Sequence, residues 1–209
     1  MTIRRELTGS ADRGRPRLWP GRAVAAMAAL AFLAWPISLP AQAASGQGFG
    51  LEVNGGFRAL AGDELDGLDD GLSAHVLASY AWTTGWEAGI GAGISFHDPA
   101  PDVDGDLTDV VGFARYRFGV PRGAVRHLHP FVEGRAGFVR FSTAAPGQDD
   151  ISQDGSVLGG KGGAEYWLTD EVGLTGGVGV EYLSLSSGDG LTERSGWSIQ
   201  PQVGLKLRY

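Results

Sequence analysis

Trp86-Glu-Ala-Gly-Ile-Gly-Ala-Gly-Ile-Ser-Phe-His97, WEAGIGAGISFH, sorts into two sets when every second residue is taken. Trp86, Ala88, Ile90, Ala92, Ile94 and Phe96 form an apolar set; Glu87, Gly89, Gly91, Gly93, Ser95 and His97 form a small or polar one. Successive side chains of an extended strand point to opposite faces, so a period of two predicts a strand with one greasy wall and one wet wall. A period of 3.6 would scatter both sets around a helix. The last run of the chain repeats the rule: Trp197, Ile199, Pro201, Val203, Leu205, Leu207 and Tyr209 alternate with Ser198, Gln200, Gln202, Gly204, Lys206 and Arg208.

Six more segments follow it, over roughly 48–59, 72–82, 108–118, 128–141, 156–168 and 172–185. Their apolar faces hold Phe49, Leu51, Val53 and Phe57, then Ala74, Val76, Ala78, Tyr80 and Trp82. Val110, Ala114, Tyr116 and Phe118 follow, then Val132, Ala136 and Phe138, with Arg140 as the exception. Leu158, Ala164, Tyr166 and Leu168, and Val172, Leu174, Val178, Val180 and Tyr182 complete the set. Eight strands result, each able to cross a bilayer at a tilt, which takes about 9–11 residues. Thr83–Gly85 and Thr169–Glu171 read as tight turns and Gly119–Arg126 as moderately short, whereas Leu60–Gly71, Asp98–Asp106, Ser142–Gly155 and Ser186–Ser195 read as long loops. Brief turns at one end and long loops at the other are the pattern of an up-and-down antiparallel barrel whose ends meet different surroundings.

The first 43 residues stand apart. Six arginines precede AVAAMAALAFLAW at 23–35, which is closed by Pro36 and followed by Ala41-Gln42-Ala43. A basic lead, a short apolar run and an A-x-A step read as a secretory signal peptide over 1–43, leaving 44–209 as one domain. Thirteen apolar residues are too few for a spanning helix, which needs about 20. Arg4-Arg5 is a twin arginine, a mark of export in the folded state to which an integral barrel is ill suited. Residues 44–209 carry 11 basic and 22 acidic side chains, a net charge of −11, which argues against a nucleic-acid partner. The sequence has no cysteine, so no disulfide braces the exported domain.

An eight-stranded barrel can close with its apolar face inside around a ligand or outside against lipid. The polar faces carry Glu52, Arg58, Glu87, Arg115, Arg117, Glu133, Arg135, Lys161, Glu165, Glu181, Lys206 and Arg208. The apolar faces concentrate aromatics at both strand ends. Phe49, Tyr80, Trp82, Trp86, Tyr116, Phe118, Tyr166 and Tyr209 fall at the short-turn end; Phe57, Phe96, Phe138, Tyr182 and Trp197 fall at the other. Two aromatic girdles around an aliphatic band are what a bilayer's two interfaces select. The expectation is therefore an all-β, eight-stranded antiparallel transmembrane barrel with lipid outside. Its twelve lumen charges pair across a space only wide enough for side chains, inward glycines make room for them, and no continuous pore is expected.

GSVLGGKG at 155–162 falls one residue short of a phosphate-binding loop, with Gly162 where a hydroxyl is needed. Such a loop joins a strand to a helix whose amides face the phosphates, and no helix pattern follows here. Lys161 reads instead as a lumen ion-pair partner.

The fifth-strand run His129-Pro-Phe-Val-Glu-Gly-Arg-Ala-Gly137 and the closing Val203-x-Leu205-x-Leu207-x-Tyr209 carry a family likeness. The chain resembles the small eight-stranded outer-membrane barrels of the OmpA-like and OmpX/Ail-like type. The resemblance implies Sec export, integral residence in a Gram-negative outer membrane as a monomer, and delivery to the barrel assembly machinery through the strand ending at Tyr209. No peptidoglycan-binding domain follows Tyr209, so a wall-anchoring role is not carried over.

Chemistry-bearing candidates are few. His75 faces the lumen, His97 ends its strand, and His127 and His129 could share a metal but lack an evident third ligand. A lipid hydrolase needs a nucleophile and base within hydrogen-bonding reach on the lipid side, and the outward sets offer none. Asp102-Val-Asp104-Gly-Asp106 with Asp109 resembles the start of a calcium loop but lacks the glycine at position six and the glutamate at position twelve. No catalytic, cofactor-binding or metal site is assigned, and no enzyme is expected. The four long loops hold 14 acidic residues against one base, Arg194, so divalent cations could bridge them to lipopolysaccharide phosphates. The functional expectation is a structural or surface-interaction, adhesin-like barrel contacting outer-membrane lipids, lipopolysaccharide and a host or surface ligand. A narrow ion-conducting channel and a lipid-modifying hydrolase are the alternatives.

Overall fold

Eight strands close on themselves in chain order, each hydrogen-bonded antiparallel to its two neighbours. They are β1 (Gly48–Ala61), β2 (Gly71–Ala81), β3 (Trp86–Ala100), β4 (Val103–Arg117), β5 (Leu128–Ala144), β6 (Ile151–Trp167), β7 (Val172–Ser186) and β8 (Arg194–Arg208). The computed structural model describes residues 47–62, 65, 70–100, 103–119, 127–144, 151–186 and 194–209. The segment read as a signal peptide lies outside them.

Closure follows from the β1–β8 ladder, which runs from Gly50↔Arg208 to Ala61↔Trp197 at a constant offset. No sheet edge is left to recruit another chain, the same condition a bilayer imposes on any sheet that crosses it. That ladder has one gap, at Phe57 and Arg58, opposite Pro201 and Gln200. Proline has no amide hydrogen, so the Phe57 carbonyl finds no ladder donor across the seam.

At the turn end, every strand boundary falls within one residue of where alternation begins or stops. Trp82 donates its backbone N–H to the Trp86 carbonyl (2.8 Å), closing the tight turn, and Gly85 takes φ 88°, a conformation that favours glycine. At the loop end the boundaries differ. β3 runs on to Ala100 and β4 begins at Val103, so the long loop expected over 98–106 shrinks to two residues with a register shift between His97 and Ala100. β5 and β6 likewise extend to Ala144 and from Ile151, shortening the loop expected over 142–155.

The physical reason is a reversal of polarity along the strands. Within the band, the outward residues are apolar and open: Ile90 is 68 % exposed, Phe138 77 % and Val203 71 %. Beyond it, outward positions turn polar, and Thr108, Arg140, Asp154 and Ser186 form one ladder row around the outside. Inward positions turn apolar there: Leu107, Val139, Phe141, Val157, Leu183 and Leu185 are buried as one cluster. Beyond the band these strands are built like a water-soluble barrel, so the outward-apolar alternation cannot mark where they end.

Candidate functional site

The expected lumen charges lie inside the barrel. Of the twelve, all but Arg117 are buried, and the Arg117 side chain is 10 % exposed. Asp109 joins them. It lies within β4, facing inward, 3.1 Å from Arg58, so it does not belong to a calcium loop. Asp102 lies outside the described residues. Among the described residues, no cluster of three or more His, Asp or Glu is placed to hold a metal.

The inward groups form one alternating chain of nine ions along the barrel, with a tenth, Glu52, branching from Arg115. Asp109 accepts from Arg58, whose Nη2 also donates to Glu181 (3.1 Å). Glu181 accepts from Arg135 (3.0 Å), and Arg135 donates twice to Glu133 Oε1 (3.1 and 2.5 Å). Glu133 accepts from Arg115 Nε (2.8 Å), and Arg115 Nη1 donates to both Glu52 (2.7 Å) and Glu165 (2.8 Å). Lys206 then joins Glu165 (2.7 Å) to Glu87 (2.7 and 2.8 Å). Arg115 is the hub: three carboxylates bind it, and its guanidinium lies 4.3 Å above the centre of the Phe131 ring. Alternation of sign is what lets charges sit in so dry a space, since each carboxylate offsets the desolvation of its neighbours.

Glycines opposite these side chains supply the room. A Cβ at Gly159 would lie 2.6 Å from Glu181 Cγ, and one at Gly163 would lie 2.8 Å from Phe131 Cζ. Lys161 lies mid-strand in β6, donates to Gln202 Oε1 (3.1 Å) and stands 3.9 Å from Glu52, so the near-miss phosphate loop is a lumen strand.

Above the ions the apolar cluster closes the loop end. Leu65, from the β1–β2 connection, is 2 % exposed and seats against Gly196, where any Cβ would collide with it. Sequence reading missed this cap, although adjacent apolar doublets mark it: Val110-Val111, Phe138-Val139, Val157-Leu158 and Tyr182-Leu183 are the points where alternation changes phase. Arg140 belongs to the same signal. It makes two hydrogen bonds to Asp154, which raise the arginine's pKa and hold the carboxyl below its ordinary value.

The structure also joins two residues that sequence reading left apart. Ser95 Oγ and His97 Nε2 are 2.9 Å apart. Both are buried inside the barrel, and Ser95 also accepts from Arg58. His75 faces Asp109 at 3.8 Å, as a lumen residue should. His129 points inward at the turn end, and His127 packs its ring edge-on against Tyr166 outside.

Both aromatic girdles are present. Phe49, Tyr80 and Trp82 stack edge to face in one row; in another, Trp86 lies tilted against Tyr116, which meets Phe118 edge to face; and Tyr182 meets Trp197 at the upper rim.

No family model matches the chain, and no curated protein does. Among solved structures it is similar to the neisserial surface protein NspA, at 18% identity and a TM-score of 0.62 over 77% of this chain and 97% of that one. A major outer-membrane protein of Thermus thermophilus matches at 16% identity and a TM-score of 0.48, over 78% and 99%. The likeness to NspA is one of fold: both are small closed β-barrels.

Proposed function

We propose that this chain is an integral outer-membrane barrel that braces the membrane with a closed body and makes contacts at the cell surface through its loop end. The observation that carries the reading is the reversal at the Thr108–Arg140–Asp154–Ser186 row. Turnward of Phe138, Leu158 and Tyr182 the outer wall is apolar and the interior ionic; from there up to the row the outer wall turns polar at Ser156, Ser184 and Arg140 while the interior turns apolar at Val139, Val157 and Leu183. Only a surrounding that changes from hydrocarbon to water at that height favours both halves.

A closed body follows from the filled interior. The ion chain occupies the lumen and the Leu65 cap seats over it, so we assign no conduction to this barrel. We also assign it no catalysis: Ser95 and His97 are fully enclosed and face away from lipid. The acidic loops on a rigid scaffold are the natural contact surface. In the same reading the chain is exported unfolded by Sec, cleaved after Ala43 and inserted as a monomer through the strand ending at Tyr209.

Planar-bilayer recording on the refolded protein, run beside attachment assays on cells carrying loop replacements at 62–70 and 187–193, tests the proposal. It expects no discrete conductance steps and a loss of attachment with one replacement or both. Stable conductance steps with attachment unaffected would overturn it.

A further inference from the structure

The lumen holds seven cations against six carboxylates, and the surplus collects at the turn end. There Arg117 and Lys206 share Glu87 and Glu165, and Arg208 pairs with neither. Lys206 takes both oxygens of Glu87 and one of Glu165, and Arg115 takes the same Glu165 oxygen from deeper in the barrel. Arg117 is left at 3.8 and 4.0 Å from the two acids, beyond hydrogen-bonding distance, with its Nε unpartnered. Arg208 has less still. It is 6 % exposed, its guanidinium lies 4.2 Å over the Trp167 ring, and no hydrogen bond or ion pair reaches that guanidinium among the described residues. Glu171 on the adjoining turn accepts the Arg208 backbone N–H but is exposed, and no ion pair joins their side chains.

A buried cation without an anion is costly, and every other cation in this lumen has a carboxylate within 4.0 Å. The ring of Trp167 holds the guanidinium flat and leaves its edge, with its row of N–H donors, free to grip a second group. Arginine's planar fork matches the spacing of two oxygens on one phosphorus or carbon, and a pair of such forks suits a tetrahedral oxyanion.

The geometry points to a phosphate-binding site at the turn-end mouth of the barrel, in which Arg208 and Arg117 grip one phosphate group above Trp167. The phosphate is either a free ion on that side of the membrane or the headgroup of a lipid in the leaflet around the turn-end girdle. The site is independent of the loop end, so it stands or falls apart from the surface-contact role.

The test uses the refolded chain in maltoside micelles, which carry no phosphate, and follows the indole 15N–1H resonance of Trp167. Inorganic phosphate, a short-chain phosphatidic acid and sodium sulfate are titrated separately, each against sodium chloride at matched ionic strength. A saturable Trp167 shift with phosphate identifies the free ion as a ligand; a shift with the phosphatidic acid alone identifies the headgroup. Arg208→Gln is expected to weaken the response by about tenfold or more, the loss of a charged hydrogen-bonding partner. Should that variant fail to fold, Arg117→Gln carries the same expectation at a smaller amplitude. No saturable shift with either phosphate source, a shift with sulfate alone, or a shift of unchanged affinity in a folded variant overturns the site.

Discussion

Arg140 and Asp154 face each other across the β5–β6 ladder on the outside of the barrel, joined by hydrogen bonds of 2.5 and 3.1 Å, with side chains 60 and 67 % exposed. Both occupy positions that would touch hydrocarbon if the apolar band extended one row higher. The pair therefore marks where the band stops, two residues beyond Phe138 on one strand and four beyond Leu158 on the other.

In water, Asp154 should titrate below an ordinary aspartate because Arg140 hydrogen-bonds its charged form. A depressed folded-state pKa stabilises the fold above the unfolded value and loses that stabilisation as pH falls through the folded one. Carboxyl NMR titration of the refolded protein should show Asp154 low in the native chain and back in the ordinary range in Arg140→Gln. An unshifted Asp154, or a low one unaffected by the substitution, would place the pair elsewhere.

Arg115 neutralises Glu52, Glu133 and Glu165 at once. Arg115→Met should destabilise the barrel by about 3–5 kcal/mol, because three buried carboxylates lose their shared cation. Equilibrium unfolding in vesicles measures it. Combining the change with Glu52→Gln should recover part of the loss, as removing one orphaned charge relieves the site.

Leu183 is fully buried although its neighbours Tyr182 and Ser184 face outward. Leu183→Ala should cost about 2–5 kcal/mol, the usual range for emptying a packed aliphatic site. Hydrogen exchange should speed up at the loop end of β5–β7 and stay slow at the turn end. Uniform acceleration would argue against a separate cap.

Pro201 leaves the Phe57 carbonyl without a ladder donor at the β1–β8 seam. Pro201→Ala supplies one, and a new hydrogen bond is worth about 0.5–1.5 kcal/mol net, more where water is excluded. The lost proline rigidity offsets about 0.4–1 kcal/mol. The expected outcome is a small net stabilisation, with the amide that the substitution creates protected from exchange. Rapid exchange at that amide would mean that the seam stays open there for another reason.

The strands and their two faces were legible because apolar outward residues alternate with small or polar inward ones along every strand, and a period of two records it. That rule fixed the turn-end boundaries to within a residue, at Trp86, Leu128 and Val172 among others. It could not fix the loop-end boundaries, because above Phe138 and Tyr182 the inward residues turn apolar and the outward ones polar, so the same strands alternate in the opposite phase. Asp109 was left out of the lumen charges because it was read with the acidic run Asp102–Asp106, although its place in the alternation of the strand expected over 108–118 aims it inward at Arg58. Which carboxylate meets which cation, and which cation meets none, depends on the stagger of eight strands. Sequence spacing alone does not encode it.

The lipid-facing orientation is tested most directly by fluorescence of variants that keep one tryptophan at a time, refolded into vesicles of bromine-labelled lipid. Trp86 and Trp197, 51 and 53 % exposed on the outer wall, should be strongly quenched by the lipid-borne bromine. Trp167, 8 % exposed and facing the lumen, should not be. Quenching of Trp167 with Trp86 and Trp197 spared would turn the barrel inside out and contradict the account.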